Sequence, residues 1–222
     1  MLQEKENNRI SMADRHAVLI GAGEMRNEIP DISETDFVIA LDGGLQFCVE
    51  HDMKPDMIVG DFDSLSANKQ GLLKQYPEEM IHRLPCEKDD TDTLAAIKLA
   101  VDQGFNRFAI YGGLGGRLSH TMANIQSLLY LKKLGLYGEL IGEGCKIFLL
   151  KDEGCVLEEK TGYVSVFSFS EKADGVTLNN LKYEVEDVVL TNDFPLGVSN
   201  EFIGKTAEIS VKNGTLLVVI ET

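Results

Sequence analysis

The residues best suited to chemistry are acidic and follow a short apolar run. Met57–Val59 is long enough for a buried strand and too short for a helix, and Gly60–Ser64 comes directly after it. Asp61 and Asp63 are therefore predicted to stand at the end of a strand. In open α/β sheets, ligands bind in the crevice outside the carboxyl ends of the strands.

A second acidic group stands where a helix is predicted to begin. Asp89, Asp90 and Asp92 surround Thr91. Carboxylates repel one another, so a fold that gathers both groups indicates a bound cation. Oxygen ligands alone favour Mg²⁺, which completes its shell with water and substrate phosphates. The pattern predicts an enzyme that handles phosphate, and the alternative for each single residue is an ordinary turn or helix cap.

Two glycine-rich stretches each follow a predicted strand. Gly21–Gly23 comes after Ala17–Ile20, and Gly112–Arg117 comes after Arg107–Tyr111. Glycine N–H groups, a helix N-terminus and an arginine together form a cradle for a polyphosphate. The alternative is a flexible loop with a solvated arginine. Neither the dinucleotide fingerprint nor the Walker A spacing is present, so those two nucleotide-binding folds are not supported.

The elements that must position these residues alternate between strands and helices up to about residue 145. Phe37–Leu41 is predicted to be a strand that ends in Asp42-Gly43-Gly44, and a short strand is expected near Met80–Leu84. Helices are predicted over residues 45–51 and 66–76, from about residue 92, and over residues 121–134. This pattern predicts an open, mainly parallel α/β/α domain over residues 16–145.

From about Lys151 the pattern changes to short alternating runs parted by Gly, Asn and Asp. The runs cover residues 163–169, 176–178, 185–190, 206–211 and 216–220. Such spacing predicts a C-terminal antiparallel β-sandwich or barrel domain over residues 146–222. Residues 1–15 are polar and are expected to form a disordered tail.

Composition limits the choice of partners and compartment. A chain of 222 residues with 44% hydrophobic content can build a large core, and a net charge of -15 disfavours nucleic acid and anionic membranes as partners. The four cysteines are widely spaced with no CxxC pair, which favours free thiols in a reducing compartment. No apolar run approaches the roughly 18 residues of a membrane span. A cytoplasmic location is expected.

Five stretches resemble the motifs of the thiamine pyrophosphokinase family, in the family's order. They are LDGG (41–44), PDMIVGDFDS (55–64), EKDDTD (87–92), GGLGGRLSHTMANI (112–125) and LGVSNEF (196–202). The resemblance spans nearly all of the chain after Arg15. It implies transfer of the pyrophosphoryl group of ATP to the hydroxyl of thiamine, with release of AMP and with Mg²⁺ as cofactor.

The resemblance also implies roles for individual residues. The catalytic residues and metal ligands would be Asp61, Asp63, Asp89 and Asp92. The ATP site would include Asp42, Gly43, Gly113, Arg117, His120 and Asn124, and the thiamine pocket would include Ser199 and Asn200. The family further implies a homodimer with shared active sites.

This sequence departs from the family pattern at two positions. Ser119 stands where the family usually has an Asp before the histidine of its RxDH motif. Tyr183 stands where an aromatic residue, often Trp, precedes the last motif. The resemblance implies that its ring stacks on the aminopyrimidine of thiamine; the alternative is a tyrosine packed in a β core.

Three rival functions remain open at this point. One is a pyrophosphokinase for another alcohol, such as a pterin, on the same scaffold. Another is a haloacid-dehalogenase-like phosphatase, because Asp61–Ser64 approximates its DxDx[ST] motif, although LDGG, the glycine loop and the β-rich region would then be unexplained. The third is a nucleotide sensor without catalysis, which would not need so many carboxylates.

Overall fold

The computed structural model describes residues 14–23, 25, 29–62, 71–85, 87 and 89–222. Three predictions fall wholly or mostly outside these ranges: the tail over residues 1–15, the carboxylate of Asp63, and the first part of the helix predicted over residues 66–76. Residues 71–73 of that helix are described and are helical.

The described chain alternates strands and helices first and continues with strands alone. The strands are β1 (His16–Ile20), β2 (Phe37–Leu41), β3 (Met57–Gly60), β4 (Ile81–Arg83), β5 (Arg107–Tyr111), β6 (Tyr137–Gly142), β7 (Cys145–Lys151), β8 (Gly154–Leu157), β9 (Tyr163–Ser168), β10 (Lys172–Asn179), β11 (Val185–Thr191), β12 (Gly197–Glu201), β13 (Ala207–Ser210) and β14 (Thr215–Glu221). The helices are α1 (Gly44–Glu50), α2 (Asp92–Asp102) and α3 (Leu118–Lys133), with a short 3₁₀ helix at Glu78–Met80.

Six strands form a parallel sheet in the order β4-β3-β2-β1-β5-β6. The strand order reverses at β1: the chain first builds outward through β2, β3 and β4, then returns to add β5 on the other side of β1. Such a reversal leaves a crevice at the carboxyl ends of the two strands that flank it. The ends of β1 and β5 carry the two glycine-rich stretches.

Helices cover both faces of the parallel sheet. In β1, Ala17 and Leu19 join the core beneath α2 and α3, whereas Val18 and Ile20 join the core beneath α1. This alternation follows from the two-residue period of a strand. The α/β/α arrangement predicted from the sequence is confirmed. None of the helices in the described ranges is both long and apolar enough to cross a membrane.

Four antiparallel strands extend the same sheet beyond β6, in the order β7-β14-β9-β12, and a second sheet, β11-β10-β13-β8, packs against them. In β14, Leu216, Val218 and Ile220 face the second sheet, while Leu217 and Val219 pack on the α/β core. Of the two C-terminal architectures predicted, the structure shows the sandwich. The predicted domain ranges meet at residues 145 and 146, where β7 begins.

The sequence did not predict β6, β7, β8 or β12. β7 is buried on both faces, since Ile147 and Leu149 join one core and Phe148 and Leu150 the other. A strand buried on both faces reads as a continuous apolar run and lacks the alternation that identified its neighbours. The edge strand β12 is irregular, with a register shift between Gly197 and Asn200.

At the end of the sheet opposite the crevice, Asp36 joins the start of β2 to the start of β1. Its carboxylate accepts hydrogen bonds from the Ser33 backbone N–H at 2.8 Å and contacts His16 Nδ1 at 3.0 Å. Burial raises the pKa of Asp36, but the bonds from Ser33 and His16 outweigh burial, and the pKa is lowered overall.

Two described cysteines, Cys48 and Cys155, are free thiols. Burial raises the pKa of Cys48 to about 12 and that of Cys155 to about 11. Both thiols are therefore protonated at neutral pH.

Candidate active site

A cleft of about 700 Å³ opens at the carboxyl ends of the parallel strands, beside the ends of β1 and β5. Its walls come from the segments that follow β1, β2, β3 and β5 and from the first turns of α2 and α3. Of the residues named individually from the sequence, those that line it are Asp42, Asp61, Asp90, Asp92, Gly113, Arg117, His120 and Asn124.

Besides Asp90, three carboxylates line the cleft, each from a different part of the fold. Asp42 follows β2, Asp61 follows β3, and Asp92 is the first residue of α2. The Asp42 N–H donates to the Val59 carbonyl at 2.9 Å, which ties the end of β2 to β3. Oδ1 of Asp42 and Oδ1 of Asp92 are fully buried. Parallel pairing of β2 with β3 thus brings Asp42 and Asp61 together, and the packing of α2 on the sheet adds Asp92.

Backbone strain accompanies these acids. Asp42 has φ of 40° and Phe62, directly after Asp61, has φ of 59°. Asp tolerates the left-handed region, but a bulky residue such as Phe rarely adopts it. Strain of this kind persists where the surrounding fold enforces it, and it clusters at functional sites. The buried Phe62 ring anchors the segment that carries Asp61.

The donor set fits magnesium. Within the described ranges, no group of three or more His, Cys, Asp or Glu side chains is close enough to hold a metal ion by itself. Magnesium, however, is usually held by one or two carboxylates and keeps water and substrate phosphates as its other ligands. Asp42, Asp61 and Asp92 supply hard oxygen ligands in one cleft and so meet that requirement.

The carboxylates of the acidic group before α2 do not all lie in the cleft. Asp90 lines the cleft and its Oδ2 accepts a 2.6 Å hydrogen bond from Lys98 Nζ, whereas Asp89 is exposed and does not line it. Thr91 caps α2, because its hydroxyl accepts from the Leu94 N–H at 3.2 Å. The cap places Asp92 in the first helical turn. The role of Asp89 stays a prediction.

The two glycine-rich stretches interlock. The Gly21 N–H donates to the Tyr111 carbonyl at 2.8 Å, and the Gly23 N–H donates to the Gly112 carbonyl at 2.9 Å. A Cβ on Gly23 would lie 2.3 Å from the Gly112 oxygen, so only glycine permits this approach. Gly43 does not line the cleft; a Cβ there would lie 2.8 Å from the Ala22 Cβ, so this glycine lets Ala22 pack closely.

Helix α3 begins at Leu118, three residues earlier than predicted, with Arg117 as its N-cap residue. Arg117, Ser119 and His120 are all exposed at the mouth of the cleft. Asn124 is buried one turn further on, and its Nδ2 donates to the Gly113 carbonyl at 2.8 Å. It thereby connects α3 to the glycine-rich stretch after β5.

Ser199 and Asn200 do not line the cleft. They lie on β12, the edge strand of the large sheet, with β9, β14, β7 and β6 between it and β5. At about 4.8 Å per strand, this places them roughly 24 Å from β5. One chain therefore does not bring its own predicted thiamine residues to its own acidic cleft.

Four residues that line the cleft had no role predicted for them individually. They are Ala22, Leu41, Thr91 and Thr93. Ala22 lies within the glycine-rich stretch after β1, and Leu41 and Thr91 lie within two of the family motifs. Thr91 also carried a usable signal, since a Thr before an amphipathic run is typical of a helix N-cap. No sequence signal distinguishes Thr93.

Two family models match the chain. The model for the thiamin pyrophosphokinase catalytic domain matches residues 31–137, and the model for the thiamin pyrophosphokinase vitamin B1 binding domain matches residues 150–216. Together they cover more than half of the chain and both of its structural parts. The chain belongs to the thiamine pyrophosphokinase family.

Relatives of known sequence and structure agree with the family models. The chain is 29% identical over 209 residues to a thiamine pyrophosphokinase of Bacillus subtilis, covering 91% of this chain and 97% of the relative. It is 26% identical over 183 residues to thiamin pyrophosphokinase 1 of Caenorhabditis elegans, covering 74% and 68%.

Crystal structures of thiamine pyrophosphokinases show the same fold. The B. subtilis structure has a TM-score of 0.83 at 27% identity, covering 93% of this chain and 99% of that one. The Geobacillus thermodenitrificans structure has a TM-score of 0.82 at 27% identity, covering 93% and 97%. The predicted family, the two-part fold and the assignment to the kinase-type transferases are confirmed, and the rival functions are not favoured.

Proposed function

We propose that this chain transfers the pyrophosphoryl group of ATP to the hydroxyl group of thiamine, giving thiamine diphosphate and AMP. The observation that carries the proposal is the convergence of Asp42, Asp61 and Asp92 with two interlocked glycine-rich stretches in one cleft, in a chain of this family. Phosphoryl transfer needs positioning and charge neutralisation more than it needs covalent chemistry.

The chain's own residues divide these tasks. Backbone N–H groups of residues 112–116 and the N-terminus of α3 bind phosphate oxygens, and Arg117 adds a fork of donors. His120, one turn into the helix, makes a further phosphate contact. Asp61 accepts or orients the proton of the thiamine hydroxyl, with Asp89 as the alternative.

Bound Mg²⁺ would neutralise charge on the phosphates. The described residues that would hold it are Asp42, Asp61 and Asp92. Asp63 and Asp89 were also predicted as ligands, and both remain part of the proposal.

The working unit is a homodimer with shared sites. Ser199 lies roughly 24 Å from β5 in its own chain, so a thiamine that contacts both Ser199 and the acids is bound between two chains. Exposed apolar side chains on two surfaces support this arrangement. Leu118, 75% exposed, and Met122 flank the cleft on α3, whereas Tyr183, Leu196 and Val198 surround β12. A two-fold dimer would cover both surfaces and form two equivalent sites.

Product analysis tests the activity. Purified protein is incubated with ATP, Mg²⁺ and thiamine, and the nucleotides are separated; AMP and thiamine diphosphate should appear in equal amounts, and EDTA should abolish both. Thiamine-dependent ADP would indicate a simple kinase, and a covalent aspartyl phosphate on Asp61 would indicate a phosphatase. AMP formed with a pterin alcohol and not with thiamine would establish the alternative substrate.

Subunit mixing tests the shared site. An Asp61→Asn chain is mixed with a Ser199→Ala/Tyr183→Ala chain under exchange conditions and assayed at low thiamine. A mixed dimer has one intact site of two and random exchange makes half the dimers mixed, so activity should recover to roughly a quarter of wild type. Either chain alone is the control. No recovery after demonstrated exchange would place the whole site in one chain.

The protein is placed in the cytoplasm as part of this proposal. Cys48 and Cys155 are free thiols, which suits a reducing compartment.

A further inference from the structure

Asn200 is only 4% exposed, and its side-chain amide forms hydrogen bonds with neighbouring backbone groups. Its Oδ1 accepts from the Tyr183 N–H and from the Glu201 N–H, each at 2.9 Å, and its Nδ2 donates to the Tyr183 carbonyl at 2.7 Å. Both backbone polar groups of Tyr183 are thus held by one side chain. Three of the four hydrogen bonds that an amide can make are used in this way.

The Tyr183 ring points the other way from these bonds, since the residue is 59% exposed. Its segment joins β10 to β11 and runs beside β12: Leu181 forms an isolated bridge with Phe202, and the Lys182 N–H donates to the Glu201 carbonyl at 3.0 Å. Regular backbone pairing therefore stops just before Tyr183. Asn200 replaces it with side-chain bonds at the position that displays the aromatic ring.

A bulge in β12 explains why Asn200 points inward. Ser199 has φ of 56°, and the strand register shifts between Gly197 and Asn200. The Ser199 N–H is taken by the hydroxyl of buried Ser165 at 3.0 Å. A bulge redirects the side chains beyond it. Ser199 is therefore exposed beside the segment of Tyr183, while Asn200 is buried behind it.

We propose that Asn200 is a positioning residue for thiamine: it does not contact the substrate but fixes Tyr183, whose ring the family resemblance implies as the stacking partner of the aminopyrimidine. The inference rests on the function proposed above and changes the role expected for Asn200 from a thiamine contact to a support. Residues locked by packing and hydrogen bonds behind a contact residue keep that contact in its binding geometry.

A double-mutant cycle separates support from contact. Tyr183→Ala and Asn200→Ala should each raise KM for thiamine by roughly threefold to tenfold, the range for loss of one aromatic stacking contact. If Asn200 acts only through Tyr183, the double variant should show no further increase. KM for ATP and kcat should stay unchanged throughout. If the two residues contacted thiamine independently, their fold-increases in KM for thiamine would multiply in the double variant. That result would overturn the inference, and so would an unchanged KM for thiamine in Asn200→Ala.

Two further variants guard against a general loss of structure. Ser168→Ala is the matched control, because Ser168 is also buried on the large sheet and donates one side-chain bond to backbone, at 2.8 Å to the Ser170 carbonyl. It should leave KM for thiamine unchanged. If Asn200→Ala does not fold, Asn200→Asp replaces it in the cycle. Asp keeps an acceptor for the Tyr183 and Glu201 N–H groups but sets its second carboxylate oxygen against the Tyr183 carbonyl, so the hold on that carbonyl is broken.

The wild-type assay distinguishes failure of the proposed function from failure of the inference about Asn200. Absence of thiamine-dependent AMP release by the wild-type protein refutes the proposed function, and this inference with it. Normal wild-type activity together with multiplied effects in the cycle refutes the inference alone.

Discussion

Substitution of Asn124 tests whether the stretch after β5 binds ATP. The Asn124 side chain holds the Gly113 carbonyl at 2.8 Å from the buried side of α3. Ser127 is a close control: it is buried on the same helix, but its hydroxyl donates to Ala123 within the helix, at 3.0 Å, and does not reach the cleft. Both Asn124→Ala and Ser127→Ala remove a buried polar group from α3. Only Asn124→Ala also removes the connection between α3 and residues 112–116.

The structure sets the size of the expected effects. Gly113 is buried, and leaving a buried carbonyl without its donor costs about 1–3 kcal/mol of the free energy of unfolding. For a chain of this length, about 2–4 °C of melting temperature corresponds to each kcal/mol, so Asn124→Ala should melt about 2–12 °C lower. Ser127→Ala should cost at most about 1 kcal/mol, because the Ala123 carbonyl stays within the hydrogen-bonded helix.

The informative measurement is KM for ATP beside KM for thiamine. Freed from α3, residues 112–116 should bind the polyphosphate less well, raising KM for ATP by roughly tenfold or more, since small displacements of positioning groups cost large factors. KM for thiamine should change little, and Ser127→Ala should leave both constants unchanged. A lowered melting temperature with normal KM for ATP would show that Asn124 is a purely structural residue.

Three further outcomes are expected. Asp61→Asn should lower kcat by at least about a hundredfold, because a metal-bound carboxylate is removed. Asp90→Asn, which loses only a partly exposed ion pair with Lys98, should keep kcat within about threefold of wild type. The reverse order, in variants shown by circular dichroism to be folded, would contradict the roles given to the two carboxylates. Ser119→Asp should keep the rate within about tenfold, or about 1.4 kcal/mol, and a much larger gain would show that this protein lacks a catalytic group its relatives have. Asp36→Asn should lower the free energy of unfolding above pH 3.8. Because the pKa of Asp36 is lowered in the folded state, the difference in unfolding free energy from wild type should vanish as the pH falls below 3.8. An equal difference at all pH values in chemical denaturation would disprove the role of the Asp36 charge.

Much of the site could be predicted from local pattern. Short apolar runs before Asp42 and Asp61 located the strand ends, because a strand of four or five residues ends within a residue or two of its last apolar position. The glycine-rich stretches and the start of α2 were also visible, since turn and capping residues act on their own neighbours along the chain.

Strands that depend on distant partners were harder to predict. β7 has no alternation because helices cover one of its faces and the second sheet covers the other. The irregular β12 is an edge strand only because its backbone pairs with that of β9. Local propensity carries no information about such neighbours.

The residue types at the strand ends and in the turns can be read from the sequence, because those signals are local. Which of these residues meet depends on the folded arrangement of the strands. Asp42 and Asp92 share a cleft because the strand order reverses at β1, while Ser199 lies at the far edge of the same sheet. Likewise, the bulge at Ser199 turns Asn200 inward to bind the backbone of Tyr183. Side-chain direction at a bulge depends on pairing between strands that are far apart in the chain, and no single segment specifies it.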